Sequence, residues 1–201
     1  MTDPVLLAVS RAIAETAWTN VPMAEWAARA DVPLADLQAR FPTKLAILLA
    51  WNKAADTMML TDLSADEQEG PIRDRLFALL MRRIDALQPG RDALALLPDP
   101  RRGAPHLLVA VAPHLLPSMV WTLEAAGLAT GGMLDLLRAK ALGITYGLTL
   151  RAFVADPNPD LSDTMKALDQ ALKRLQGWPF ALPREASPTA PEAAATPSNG
   201  L

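Results

Sequence analysis

Prolines decide where this chain can be regular. A proline inside a helix removes one backbone donor and drives its ring against the carbonyl four residues back. Pro4, Pro42, Pro71, Pro89, Pro113, Pro117 and Pro157 cut an Ala- and Leu-rich chain into short lengths. Apolar residues make up 51% of the whole but aromatic residues only 5%, with Val and Ile few beside Ala and Leu. That balance favours helix over sheet. The expected class is all-α, with about nine helices placed by apolar spacing.

A helix over 4–16 carries Val5, Val9 and Ile13 at four-residue spacing, and Pro4 suits its first turn. A short helix over 23–30 puts Met23, Trp26 and Ala27 on one side. Asp31, a residue type that tolerates the left-handed conformation, makes the next turn. A third helix over 34–40 ends before Pro42, and Thr43 is placed to cap a fourth over 44–60. Trp18, Trp26, Phe41 and Trp51 fall at joints between these helices and are expected in their core.

Beyond the polar loop "SADEQEGP", a helix opened by Pro71 repeats apolar residues at Ile72, Leu76, Leu80, Ile84 and Leu87, with Arg73, Arg82 and Arg83 elsewhere. A short helix over 92–97 and the loop "PDPRRGAP" follow. From His106 to Leu134 the only formal charge is Glu124. Pro113 and Pro117 are expected to interrupt this run before the ~20 clean residues a membrane span needs. It then splits near Pro113 into a short helix and a longer one reaching 126. "GLATGG" separates it from a helix over 133–155. "DPNPD" turns the chain, and Asp160 is placed to cap a last helix over 161–176, with Asp163 in its first turn. The segment 179–201, Pro-rich and without apolar period, is expected to be disordered.

A net charge of -3 argues against any broad polyanion-binding surface, because affinity for phosphates comes mostly from Lys and Arg displacing counterions. With no cysteine, neither disulfides nor thiolate metal sites nor a Cys nucleophile is available. An acidic residue instead of a basic region precedes the first apolar stretch, so a cytoplasmic location is expected. His106 and His114 have no metal-ligand spacing. No paired carboxylates, phosphate loop or nucleophile elbow is present, and "GLATGG" lacks the preceding strand a nucleotide loop needs. No catalytic residue, metal or cofactor is therefore expected, and an enzyme is the least supported class.

In order and spacing the first 60 residues resemble the N-terminal module of the TetR family of bacterial transcriptional repressors. The signature reads here "AETAW", "MAEWAARADVP", "LADLQAR" and "FPTK", with Ala30, Val32, Leu37, Phe41, Pro42, Thr43 and Lys44 at matching positions. The region 71–176 looks like the C-terminal domain of one branch of TetR-like proteins, through "RDRLFALLMRRIDAL", "SMVWTLEAAG" and "DPNPDLSDTMKALDQALKRL". More loosely it resembles the TetR-like lipid-binding accessory family of ubiquinone biosynthesis, which keeps the scaffold without reading DNA.

The resemblance implies a three-helix helix-turn-helix module over 1–60, a helical ligand-binding and dimerisation domain over 61–178, and a tail over 179–201. It places Pro33, Leu34, Asp36, Gln38, Arg40, Thr43 and Lys44 against double-stranded operator DNA, Lys44 at the family's phosphate-binding position. Two departures stand beside it. Ala35-Asp36 replaces a Gly-Thr pair, and Gln38, suited to an adenine edge, replaces a Tyr. From Thr19 to Lys44 the bases Arg29, Arg40 and Lys44 are balanced by Glu25, Asp31 and Asp36, whereas a DNA-binding module is normally positive.

Leu108, Met119, Trp121, Leu123, Met133, Leu136 and Tyr146 are expected around an apolar cavity for a small hydrophobic effector or lipid, or else in ordinary core. By resemblance the helices over 133–155 and 161–176 form a homodimer surface. It would use Leu137, Gly143, Ile144, Gly147, Leu148 and Phe153 on the first, and Met165, Leu168, Leu172 and Leu175 on the second. Two readings stay open: a ligand-responsive transcriptional repressor, and a lipid-binding protein whose N-terminal module no longer reads DNA.

Overall fold

Each helix begins where the sequence supplies a cap or a fixed φ. In the structure, a computed structural model that describes residues 3–63 and 69–178, α1 (Pro4–Glu15) starts with the Asp3 carboxylate accepting from Val5 N at 2.9 Å. Pro22 precedes α2 (Met23–Arg29) and Pro33 precedes α3 (Leu34–Arg40). Asp31 adopts φ 53° between them, as expected of that turn. Thr43 Oγ1 accepts from Ala46 N at 3.1 Å and starts α4 (Lys44–Leu60). After α5 (Ile72–Leu87) and a 3-10 turn (Gln88–Gly90) come α6 (Arg91–Leu96), α7 (Pro105–Ala125), α8 (Met133–Ala155) and α9 (Ser162–Gln176). The described residues are all helix and connecting segments; the tail at 179–201 and residues 64–68 of the polar loop lie outside them.

α7 corrects one expectation. Pro113 and Pro117 lie inside a single unbroken helix, the one described helix long and apolar enough to cross a membrane. The helix survives because both prolines and Val109 are exposed. The carbonyls they deprive of partners therefore lie toward solvent, and the bonds on the inner side remain intact.

α4 is the shared axle: it packs on α1 at one end and on α5 and α7 along its length, while α8 bridges α7 and α9. Its Trp51 is buried and donates from Nε1 to Ser10 Oγ at 3.0 Å. Gly90 sits so close to that indole that a Cβ there would lie 2.5 Å from Trp51 Cζ2. The 3-10 turn thus needs glycine for space.

A polar cluster lies at the heart of this joint. Arg83, 0% exposed, donates from Nη1 to Asp56 Oδ1 and from Nη2 to Asn52 Oδ1 at 3.0 Å. Ser118 Oγ donates to Asp56 Oδ2 at 2.8 Å and accepts from Asn52 Nδ2 at 2.9 Å. The guanidinium carbon lies 5.0 Å from the Tyr146 ring centroid. Burial raises the Tyr146 pKa, against the opposing pull of Arg83. α4, α5, α7 and α8 each contribute a side chain, so the cluster fixes the direction in which α4 leaves the C-terminal half.

The α8–α9 corner is held by Asp156. Its Oδ2 accepts from Thr164 N and Thr164 Oγ1, each at 2.7 Å, and its Oδ1 from Asn158 N at 2.9 Å. Burial alone pushes its pKa up, yet these hydrogen bonds outweigh it and hold the value at about 2. Asp160, the expected cap, takes only Ser162 N at 3.1 Å, and Leu161 turns the chain at φ 56°.

Candidate nucleic-acid interface

α2 and α3 are anchored from behind by aromatic side chains. Trp18 and Trp26, both buried, meet edge to face with centroids 5.7 Å apart. Trp18 Nε1 donates to Ala93 O at 2.7 Å and Trp26 Nε1 to Thr16 Oγ1 at 3.1 Å, so neither indole leaves its polar edge unsatisfied. Leu37 and Phe41 are the α3 contribution to this core. Leu34, Ala35, Asp36, Gln38, Ala39 and Arg40 are all exposed, so α3 touches the rest of the module chiefly through Leu37.

The electrostatics of that exposed side are muted. Arg40 Nη1 pairs with Asp3 Oδ2 at 2.7 Å, and Arg29 with Glu25 at 3.1 Å. Asp31 and Asp36 are exposed. Lys44 turns inward: its Nζ donates to Trp18 O at 2.5 Å and Val21 O at 2.8 Å and lies 4.6 Å from the Trp26 ring centroid. Burial lowers its pKa. This ammonium closes the α1–α2 connection, and at most one N–H is left for any phosphate. Pro33, Leu34, Gln38 and Thr43 are exposed as well.

A contact with no sequence signal locks the module to the rest of the chain. Arg102, in the "PDPRRGAP" loop, donates to Thr16 O at 2.7 Å and Ala14 O at 3.1 Å, and its own carbonyl accepts from Trp18 N at 2.7 Å. Asp99 shapes the loop by accepting from Arg101 N and Arg102 N, bonds that lower its pKa. The α1 end is therefore capped by an arginine 86 positions away in sequence.

The seven residues expected around a ligand cavity are not brought together. Met119, Leu123 and Tyr146 are buried in core, whereas Leu108, Trp121, Met133 and Leu136 are exposed. A cleft of about 230 Å³ does exist beside Leu136, lined also by Val120, Glu124, Ala129, Gly131, Gly132 and Asp135. Its loop amides are already occupied: Asp135 Oδ2 accepts from Thr130 N and Gly131 N, each at 2.7 Å, and from Gly132 N at 3.3 Å. The hydrogen bond from Thr130 leads in lowering the Asp135 pKa. The expected dimer residues also divide. Leu137, Ile144, Leu148 and Met165 are exposed, while Phe153, Leu168, Leu172 and Leu175 face the protomer's own core. His106 and His114 are exposed.

A short helix-turn-helix carried on a long fourth helix, with a larger helical domain behind it, defines a fold class shared with known regulators. The chain has the fold of the TetR transcriptional regulator from Nitrosomonas europaea ATCC 19718. The TM-score is 0.67 at 23% sequence identity, over 89% of this chain and 99% of that one. A TetR transcriptional regulator from Rhodococcus sp. RHA1 is also similar, at TM-score 0.42 and 22% identity over 86% of this chain and 94% of that one. No family model and no curated protein matches the sequence.

Proposed function

We propose that the protein is a transcriptional regulator, a repressor, that binds double-stranded operator DNA as a homodimer and is released by a small hydrophobic ligand. The observation that carries the reading is α3, a helix exposed at six of its seven positions and seated on a rigid aromatic base. A helix built this way has its binding partner outside the protomer. Two copies related by a two-fold axis would lie about 34 to 36 Å apart, or a multiple of that, matching successive duplex turns. Pro33, Leu34, Gln38, Arg40 and Thr43 would face the duplex. Asp36 opposes the phosphates, at a cost of about 1 kcal/mol at intermediate dielectric. Lys44 acts mainly by holding the α1–α2 connection. Ligand release requires an effector that prefers the released state over the DNA-bound one. The cleft beside Leu136 supports a small ligand.

The test is a gel shift at low salt with the region upstream of the protein's own gene. Because so few cations face outward, the affinity should fall only about 3- to 12-fold between 50 and 200 mM salt, as expected for one or two phosphate contacts. Absence of any shift at low salt, or binding unchanged in a Gln38→Ala, Arg40→Ala, Thr43→Ala triple variant, rejects the reading.

One observation favours a second reading, a lipid or isoprenoid carrier that does not bind DNA: α7 exposes Val109 and Trp121 while Arg40 and Lys44 are engaged within the protomer. Mass spectrometry of the purified protein for co-purifying lipid separates the two. A lipid-free protein with tight operator affinity excludes the carrier.

A further inference from the structure

We propose that Asp3, a residue outside α3, sets the strength of DNA binding by holding Arg40, the only basic residue of α3, away from the phosphates. The proposal rests on the regulator reading above and adds to it an affinity-determining residue at the start of α1, a brake built into the module. Removing that residue should tighten binding.

The Asp3 carboxylate divides its two oxygens between two tasks. Oδ1 accepts from Val5 N at 2.9 Å and caps α1, while Oδ2 accepts from Arg40 Nη1 at 2.7 Å, 37 positions along the chain. Among the described residues this is the one side-chain hydrogen bond that α3 makes. Asp36, one turn back on the same helix, has the four-residue spacing that suits an ion pair with Arg40. Among the described residues the guanidinium forms no such pair and reaches the α1 cap instead.

Seating α3 does not require this bond. Leu37 and Phe41, 0% and 4% exposed, do that, and an ion pair whose partners are 50% and 36% exposed adds little stability in water. Its effect is therefore on what Arg40 can bind. A cation grips a phosphate by displacing counterions, and a guanidinium matched by a carboxylate has no net charge with which to displace them. A phosphate must compete for Arg40 with an anion that the α1 cap keeps in place. Neither neighbouring cation substitutes: Arg29 is paired with Glu25 on its own helix, and Lys44 donates to Trp18 O and Val21 O. A restrained grip suits a regulator that must let go, because the effector then needs less preference for the released state.

Asp3→Asn tests this, since Asn caps a helix about as well as Asp and α1 is kept while the charge is lost. Fluorescence anisotropy is read on two short labelled duplexes, one from the region upstream of the gene and one of random sequence. The variant should bind both about 5- to 10-fold more tightly than the wild type at low salt, a gain that misfolding cannot mimic. Between 50 and 200 mM salt its affinity should fall about 3.5 times further, because one more phosphate is neutralised. In an Arg40→Gln background the same substitution should gain less than about 2-fold, the part due to repulsion alone, and leave the salt dependence unchanged. An equal gain with and without Arg40 overturns the proposal, as does weaker binding by Asp3→Asn, which would make the pair a brace for α3. Wild-type binding left unchanged by Asp3→Asn sinks only this inference. A gain on both duplexes with no preference for the upstream one sinks only the regulator reading, and no binding of either duplex by either protein sinks both.

Discussion

Removing Asp56 should harm the protein more than removing its partner Arg83. Arg83 is fully buried and Asp56 is 26% exposed, so the two truncations leave different orphans. Asp56→Ala strands a guanidinium between Asn52 and the Tyr146 ring, and breaking a buried pair in this way costs about 3 to 5 kcal/mol. Partial exposure of the lost carboxylate sets the expectation at the lower end, about 3 kcal/mol. Arg83→Met removes the buried charge and keeps most of the volume. Asp56 then retains Ser118 and water, so the cost should be about 1 kcal/mol. The double variant should resemble Arg83→Met alone, about 3 kcal/mol better than the sum of the singles. Urea unfolding followed by tryptophan fluorescence reads this directly. With a slope of about 2 kcal/mol/M, Asp56→Ala should lower the midpoint by about 1.5 M at unchanged slope. Equal costs for the two singles that simply add in the double would refute the reasoning, since neither residue would then depend on the other.

Gly90→Ala forces a methyl into Trp51. Overpacking of about 1 to 3 kcal/mol should lower Tm by about 2 to 12 °C in calorimetry; an unchanged Tm would mean that the turn moves aside freely. Arg102→Ala removes the cap on Ala14 O and Thr16 O. Hydrogen exchange at Trp18 and Thr19 should speed up, while the amides of α8 and α9 keep their rates. Asp156, with its pKa depressed from 3.8 to about 2, contributes stability that is complete above the unfolded value and lost as pH falls through the folded one. Between pH 4 and 2 the wild type should therefore lose stability more steeply than Asp156→Asn; parallel acid-titration curves would contradict this.

Features that depend on a few neighbouring residues were legible in the linear chain. The Pro4 start, the left-handed Asp31, the Thr43 cap and the burial of Trp18, Trp26, Phe41 and Trp51 follow from φ preferences, hydrogen-bond reach and apolar spacing. The exposed α3 was legible only through the family resemblance; its apolar anchors are Leu37 and Phe41. The departures have a common cause. Pro113 and Pro117 read as breaks because their local cost is known, but whether a helix tolerates them depends on which side of it solvent lies. Lys44 read as an outward cation, yet Trp18 O and Val21 O, brought alongside by the α1–α2 turn, draw it inward.

Composition and spacing thus determined an all-helical chain and the order of its helices, because both arise from interactions within a few residues. The direction of each side chain was decided only by tertiary packing. Arg83 could have been a solvated arginine on an amphipathic helix until Asp56, Asn52 and Tyr146 enclosed it. Likewise Leu168 and Leu172 of α9 turned inward while Ile144 and Leu148 of α8 stayed outside. An apolar stripe states that a face must be covered; which element covers it is set by the whole packing.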